Sequence, residues 1–325
     1  MEDSMKVFFT GKNARQGLKG NDPTSLVSVA STLDITVSET LTPSDDLLVC
    51  ADFDGASLRQ AKRAKRIGVP TCLIVNEPAV VIPQHAQDRV IKHFDRTIYV
   101  GRPSHVPKLK WPQTWTQLRD SSDRMDRAVI VNADKWSFVR GQHYWLRSAI
   151  SSSDARVDVF GPGWSRSGLV RLAHRVYELA RTLTSRTLPT FRGLSVILSR
   201  PRNYLGLAAD KIATMSKYKV AIVIENSSEL ITEKLFDAWF AGCIPVYVGP
   251  GITYFDLPGG LIVDGGSGSL AELQEGLDEA FSRDHHEHMV ALRVFLESSH
   301  AKKWKSEHAI PAVLNSVLSA QDSRN

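Results

Sequence analysis

The sequence has no apolar run approaching the ~18 residues that a membrane-spanning helix needs, which excludes a transmembrane helix. Its first nine residues lack the basic start and long apolar centre of a signal peptide. The expectation is therefore a soluble, cytoplasmic protein that at most touches a membrane surface. Cysteine is scarce. Cys50, Cys72 and Cys243 are an odd number, so a fully paired intrachain framework is excluded. Each lies in or beside an apolar, strand-like run, as buried reduced thiols do. There is no internal repeat and no long low-complexity linker. No GxxxxGK[ST] pattern occurs, which excludes a nucleoside triphosphatase P-loop. The net charge of +5 on 325 residues is too small to indicate nucleic acid as a partner.

What is present is an ordinary globular composition, 42% hydrophobic and 23% charged, so disorder is not favoured. A chain of 325 residues is comfortable for two domains. Apolar strand-like runs near residues 6–10, 46–50, 71–75, 97–100, 128–131 and 157–160 alternate with helical stretches, which indicates an α/β half-molecule. The boundary is expected near residues 161–168, dividing the chain into 1–163 and 164–325. The final helices are expected to pack back on the N-terminal domain.

Residues 165–202 differ in composition. They hold eight arginines, no lysine and one acid, Glu178, for a net +7. The rest of the chain is therefore net acidic. Leu169, Leu172, Ala173, Val176, Leu179, Ala180 and Leu183 recur at helical spacing, with Arg171, Arg175 and Arg181 off that stripe. One reading is a helix that covers the core with a solvated basic face. The other is a surface for anionic lipid or an acidic polymer.

Residues 217–251 organise the second half. Residues 220–224 are apolar without alternation, as in a strand buried on both faces. Residues 231–241 show helical spacing of Leu235, Phe236, Trp239 and Phe240, and Gly242 is placed to end that helix. Ile244–Val248 is a second buried strand. The whole is a βαβ unit, in which ligands sit beyond the strands' carboxyl ends and against the helix start. Glu225, Asn226, Thr232, Glu233 and Lys234 occupy that location. Glu233 and Lys234 either serve the helix dipole and solvent, or bind a nucleotide diphosphate, Lys234 on phosphate and Glu233 on ribose hydroxyls.

Four other groups are ambiguous on sequence alone. Glu77, just past a strand and before Pro78, is a turn residue or a general base at a cleft. Asp52-Phe53-Asp54 is a turn or a paired-acid metal site. His285, His286 and His288 are a solvated turn or helix start, or metal ligands. Gly265 to Ser269 form a loop and helix cap, or a phosphate loop.

Glu225-Asn226-Ser227, Ile231-Thr232-Glu233-Lys234, Ala241-Gly242-x-Ile244-Pro245-Val246 and Gly249, in that order, resemble the α-1,3-fucosyltransferase family, glycosyltransferase family 10. Glu77-Pro78, Phe94-Asp95, Asn132 with Arg140 and Tyr144, Asp158 to Gly161, Tyr218-Lys219, Phe295-Leu296 and Trp304 to His308 add weaker likeness. The resemblance covers roughly residues 70–315. It implies the GT-B arrangement: two Rossmann-like domains with parallel sheets facing a central cleft. It implies an inverting transferase that moves fucose from GDP-fucose to a glycan hydroxyl, in bacterial surface polysaccharide or lipopolysaccharide synthesis or protein glycosylation. The alternatives are another nucleotide sugar, or a non-catalytic nucleotide-sugar or glycan-binding protein.

Residue by residue, the resemblance makes Glu77 the general base, Arg140 a diphosphate contact and Arg202 a second-rank phosphate contact. Glu225, Asn226, Thr232, Glu233 and Lys234 become donor contacts. No cofactor and no protein-bound metal are implied, a divalent ion at most stimulating the reaction. The partners implied are a GDP-sugar and a glycan acceptor; the +7 charge of residues 165–202 beside an apolar stripe adds an anionic membrane surface as an expected contact, and nucleic acid is not among the expected partners. Three features depart from the family pattern. Leu230 stands where an aromatic residue is usual, the loop from Asn226 to Ile231 is short, and residues 165–200 form a basic insertion. The N-terminal membrane anchor of animal members is not expected, which resembles bacterial members.

Overall fold

The structure, a computed structural model, describes residues 4–11, 30, 33, 35–102, 105, 108–121, 123–266 and 268–319. The chain forms two compact units, Met1–Trp115 with Lys302–Asn325, and Thr116–Ala301. Each is built on a fully parallel sheet with helices on its faces, the α/β class.

The first unit contains β1 (Met5–Thr10), β2 (Ile35–Ser38), β3 (Leu47–Ala51), β4 (Thr71–Val75) and β5 (Arg96–Tyr99) in the order β2-β1-β3-β4-β5. All five residues of β3 and of β4 are buried, because helices cover both faces of the sheet. Strand alternation divides them. Leu48, Cys50, Leu73 and Val75 face α1 (Gly55–Arg66), which lies close through Ala61 and Ala64. Leu47, Val49, Ala51, Cys72 and Ile74 form the other face. There they meet Ile310, Val313, Leu314 and Val317 of a helix at the chain's end, Ser306–Leu318. A short helix, α2 (Asp88–Ile91), lies between β4 and β5.

The second unit contains β6 (Met125–Val131), α3 (Tyr144–Ser153), β7 (Val157–Phe160), α4 (Gly168–Thr184), β8 (Asn203–Tyr204), α5 (Lys211–Met215), β9 (Tyr218–Ile224), α6 (Glu233–Phe240), β10 (Ile244–Val248), β11 (Val263–Asp264), α7 (Leu270–Ser282) and α8 (His285–Glu297). Its sheet order is β11-β10-β9-β6-β7-β8, the doubly wound order 3-2-1-4-5-6. Strand order reverses between β6 and β9, and the crevice beyond their carboxyl ends is where such a sheet takes ligands. Inward residues of the strands pack on Leu146 and Ile150 of α3 and on Leu273, Leu277 and Ala280 of α7.

The expected boundary near residues 161–168 is corrected. Residues 116–163 belong to the second unit because β6 pairs with both β7 and β9 in one sheet. Alternation of strand and helix is the same on either side of the true division at Trp115, so pattern could not mark it. Residues 217–251 are the expected βαβ unit: β9, α6 and β10, with β9 and β10 paired from Val220↔Ile244 to Ile224↔Val248.

The expected rotation of α4 is also corrected. The arginine side faces inward: Arg171 and Arg175 are 1% and 2% exposed, and Glu178 and Thr182 are buried with them. The apolar stripe faces outward, with Leu169 80% exposed. The cause is Asp134, a buried carboxylate that follows β6. Arg171 donates Nε to Asp134 Oδ2 at 2.7 Å, and Arg175 donates Nη2 to Asp134 Oδ1. The remaining Arg171 donors bond the carbonyls of Leu198 (2.9 Å) and Ser199 (3.0 Å). A buried cation with an ion partner and satisfied donors is tolerated, whereas an unpaired one is not. Among the described residues no helix is long and apolar enough to cross a membrane.

Candidate functional site

At the switch point of the second unit, β9 ends at Ile224 and Glu225 follows, its N–H bonded to Val248 O at 2.8 Å. Glu225 is 0% exposed. Its Oε1 accepts from Thr232 N (2.8 Å), and its Oε2 accepts from Thr232 Oγ1 (2.7 Å) and Lys234 Nζ (2.8 Å). Lys234 also donates to Thr232 Oγ1 at 2.7 Å. Glu225 therefore ties the end of the 226–232 loop to the start of α6. Thr232 is the N-cap of α6, but its hydroxyl bonds Glu225 and makes no cap hydrogen bond to the helix. The Thr232 hydroxyl therefore does not take up the N–H groups of the first turn, and a helix start of this kind suits an anion.

Cationic groups surround that start. Burial disfavours the Lys234 ammonium, but the charges of Glu225 and Glu233 outweigh it and hold its pKa above the ordinary value. Glu233 is half exposed, with its carboxylate 4.0 Å from Lys234 Nζ. Burial raises its pKa, while Lys234 and Lys211, together with hydrogen bonds from its own N–H and from Thr232, lower it by more, so it stays ionised to lower pH than an ordinary carboxylate.

Arg147, which the sequence reading did not single out, is buried on α3. It donates Nη2 to Ile224 O at 2.6 Å and to Asn226 Oδ1 at 3.0 Å, and lies over the Tyr144 ring at 4.8 Å. Its Nε has no partner among the described residues. Burial lowers its pKa, and Tyr144, Glu225 and Glu233 oppose that. Asn226 O accepts from His143 N at 3.0 Å, and Gln142 bridges Ser227, so the segment before α3 is stitched to the loop after β9. His143 Nε2 lies 3.2 Å from Ser228 Oγ.

The other expected donor residues fall in different places. Arg140 lies in an exposed turn before α3, at Gly141 with φ 85°, and nothing among the described residues hydrogen-bonds its guanidinium. Arg202 is not brought to this end of the sheet. Its N–H bonds Ser151 O at 2.9 Å and its Nε bonds Ser152 O at 3.0 Å, which closes the carboxyl end of α3. Because α3 begins beside Asn226, its carboxyl end lies at the opposite edge. Glu225 is corrected from donor contact to clamp, since its carboxylate is enclosed and bonded on both oxygens.

Beyond β10 and β11 lies a cavity of about 400 Å³ lined by Tyr247, Gly249, Pro250, Thr253, Asp264 and Gly266 among others. The buried Tyr247 hydroxyl has no partner among the described residues. Burial, with Glu225 adding to it, raises its pKa well above the ordinary value. Gly249 is required here: a Cβ would stand 2.3 Å from Tyr247 Oη.

In the first unit, Asn76 and then Glu77 follow the end of β4 at Val75. Their N–H groups bond Asp52 Oδ1 at 2.8 and 3.0 Å. Asp52 is fully buried at φ 58°. His85 Nε2 accepts from Phe53 N at 3.0 Å, so its Nδ1 carries the proton given to Glu77 O at 2.8 Å. Asp54 caps α1 in a capping box with Ser57. Asp52 and Asp54 thus have separate structural tasks, Asp52 holding the segment after β4 and Asp54 capping α1.

The histidines after α7 bond backbone as well. His285 Nε2 lies 2.9 Å from Gly242 O and His288 Nε2 lies 3.0 Å from Cys243 O. Among the described residues no group of three or more His, Cys, Asp or Glu could hold a metal. Ser269 caps α7 in a box with Glu272; Ser267, part of the expected glycine-rich loop, lies outside the described residues.

No protein-family model matches the chain, and no curated protein matches it. Solved structures do. An α1,3-fucosyltransferase is 14% identical with a TM-score of 0.53, covering 98% of this chain and 91% of its own. HepE of Anabaena, in complex with UDP and glucose, is 11% identical with a TM-score of 0.57, covering 97% and 100%. The α,α-trehalose 6-phosphate synthase of Burkholderia multivorans is 13% identical with a TM-score of 0.50, covering 92% and 74%. The chain has the GT-B fold of these proteins.

Proposed function

We propose that this protein is an inverting glycosyltransferase that moves fucose from GDP-fucose to a hydroxyl of a glycan. The observation that supports it most is the start of α6 at the switch point, where the N-cap side chain Thr232 makes no cap bond, with Lys234 held there by Glu225 and Arg147 beside it. The α1,3-fucosyltransferase fold neighbour, which has also been solved with GDP, supports the same reading.

In this reading the donor diphosphate meets the first N–H groups of α6, with Lys234 and Arg147 facing its charge. Arg140 reaches it from its exposed turn, Asn226 lines the donor site, and Glu233 accepts from the ribose hydroxyls. Glu77, in the other unit, takes the acceptor proton. The acceptor oxygen bonds to the sugar carbon as the bond from that carbon to the phosphate oxygen breaks. The electron pair leaves with GDP, and the cations stabilise it as it departs. The acceptor belongs to bacterial surface-glycan synthesis in the cytoplasm.

Calorimetry with GDP-fucose, followed by GDP release with an acceptor panel, tests this. No binding of GDP-fucose overturns it. Glu77→Gln is expected to keep donor binding and abolish transfer, which also separates an enzyme from a binding protein. A second reading, another nucleotide sugar, draws on Leu230, which is buried where the family usually carries an aromatic ring. Stabilisation by UDP but not GDP in a thermal-shift series would favour it.

A further inference from the structure

Among the described residues of the second unit, none covers the outward face of α4. Leu169, Val170, Leu172, Val176, Tyr177 and Leu183 are all exposed along its 17 residues, a helix about 26 Å long at 1.5 Å per residue. Leu194 and Leu198, in the segment whose carbonyls Arg171 and Arg175 hold, are exposed as well. Apolar side chains clustered in this way mark an interaction surface. The orientation is specified, because Asp134 draws the arginine side inward.

Charge selects the occupant. Arg166, Arg186 and Arg200, in the same segment of chain, are exposed. The one acid of residues 165–202, Glu178, is buried and bonded to Arg181 at 2.8 Å. The outward surface of the segment is therefore apolar and cationic, with no carboxylate of its own. A second copy meeting it face to face would set arginine against arginine. A neutral apolar partner would desolvate the arginines without compensation. An anionic lipid surface takes both, the leucines at the acyl boundary and the arginines at the headgroups.

We propose that α4 docks this protein on anionic membranes through its apolar face, with Arg166, Arg186 and Arg200 at headgroup level. The mode differs from an ordinary interfacial helix in that the polar side turns into the protein instead of into water. Asp134 lies just beyond the carboxyl end of β6, so the docked face adjoins the end of the sheet that carries Lys234 and Arg147.

Flotation of the full chain with phosphatidylglycerol-containing vesicles against pure phosphatidylcholine tests the proposal. Anionic vesicles are expected to bind it more than about tenfold better. Leu172→Glu with Val176→Glu is expected to lower that binding more than about tenfold, with unchanged circular dichroism and unchanged GDP-fucose binding. Arg166→Glu with Arg200→Glu, which leaves the apolar face intact, is expected to reduce the preference for anionic vesicles about fivefold or more. The proposal is overturned if the wild-type chain does not float with anionic vesicles at low salt. It is equally overturned if both double variants float as well as wild type. A third overturning result is light scattering that shows a dimer dissociated by the Leu172/Val176 variant, without vesicle binding; the face would then cover a second copy.

Discussion

Helices α4 and α6 flank one sheet and bury opposite kinds of side chain. α6 turns Leu235, Phe236, Trp239 and Phe240 inward, with Trp239 5.2 Å from the Phe295 ring and its indole N–H on Leu261 O. α4 turns Arg171, Arg175, Glu178 and Thr182 inward and leaves its leucines outside. Both are amphipathic with clear helical periodicity. The difference is that α4 faces a buried carboxylate, whereas α6 faces apolar strands. Periodicity defines the two faces of a helix; the partner across the gap decides which one is covered.

The comparison can be broken most severely at its two anchors. Asp134→Ala leaves two buried guanidinium groups without their anion and is expected to cost about 3–5 kcal/mol. Trp239→Ala removes the ring that seats α6 and is expected to cost about 3–5 kcal/mol. Urea melts of the two variants should shift alike, although one loses a charge and the other a ring. A much smaller shift for Asp134→Ala would mean that α4 is not held by its ions.

At the α6 end, the proposed function predicts that Lys234→Ala lowers kcat/KM for GDP-fucose by about 10²–10³, read in steady-state assays with the melt as a folding control. Turning α4's buried face apolar, with Asp134→Leu, Arg171→Met and Arg175→Met together, is expected to leave stability close to wild type or above it. Were the triple variant as unstable as Asp134→Ala, the triad would be contributing more than its pairing.

Buried histidines sharpen the contrast, since they can shed the proton that arginine keeps. Burial is the largest cause lowering His143 and His288, each to about 4, with Arg147 and Arg192 acting on His143 and His285 and Arg283 on His288. Both are neutral in the fold, while the unfolded chain takes up protons near pH 6.5. Stability should therefore be full above about pH 6.5, fall as pH drops toward 4 and level off below that. His143→Gln with His288→Gln should flatten this part of the urea-midpoint profile. The smallest effect is expected from Leu172→Ser, within about 0.5 kcal/mol because the position is exposed.

Much of the second unit could be read before the structure. Residues 220–224 and 244–248 lack alternation because both faces of β9 and β10 are covered, so a plain apolar run identified them. Glu233 and Lys234 were placeable because a helix start after such a strand has one position in a parallel sheet. Glu225 was misassigned because a carboxylate that clamps a lysine and one that contacts a ligand look alike in a string of letters. The role of Arg147 is not legible in the sequence, since its place depends on Ile224 and Asn226, 77 and 79 positions away. Arg202 resembled a phosphate contact by neighbourhood in sequence, while its place was decided by the end of α3. The rotation of α4 needed Asp134, 37 residues before Arg171.

The Asp134 carboxylate also has a reach that apolar contact lacks. Leucines attract only once their atoms approach within ~4–4.5 Å, whereas an ion pair acts over roughly 10 Å at 0.1 M salt and about 3 Å at 1 M. While α4 is still arriving at the sheet, the carboxylate can choose which side of the helix lands first. At high salt that guidance fades before contact, and the leucine stripe competes for the same place. We therefore expect rapid dilution from urea into 1 M salt, on the ~3 Å scale above, to give a smaller native yield and a slower refolding phase than dilution into low salt. The melting temperature of protein already folded should barely move between the two. Equal yields at both salt concentrations would assign the carboxylate no part in guiding the chain.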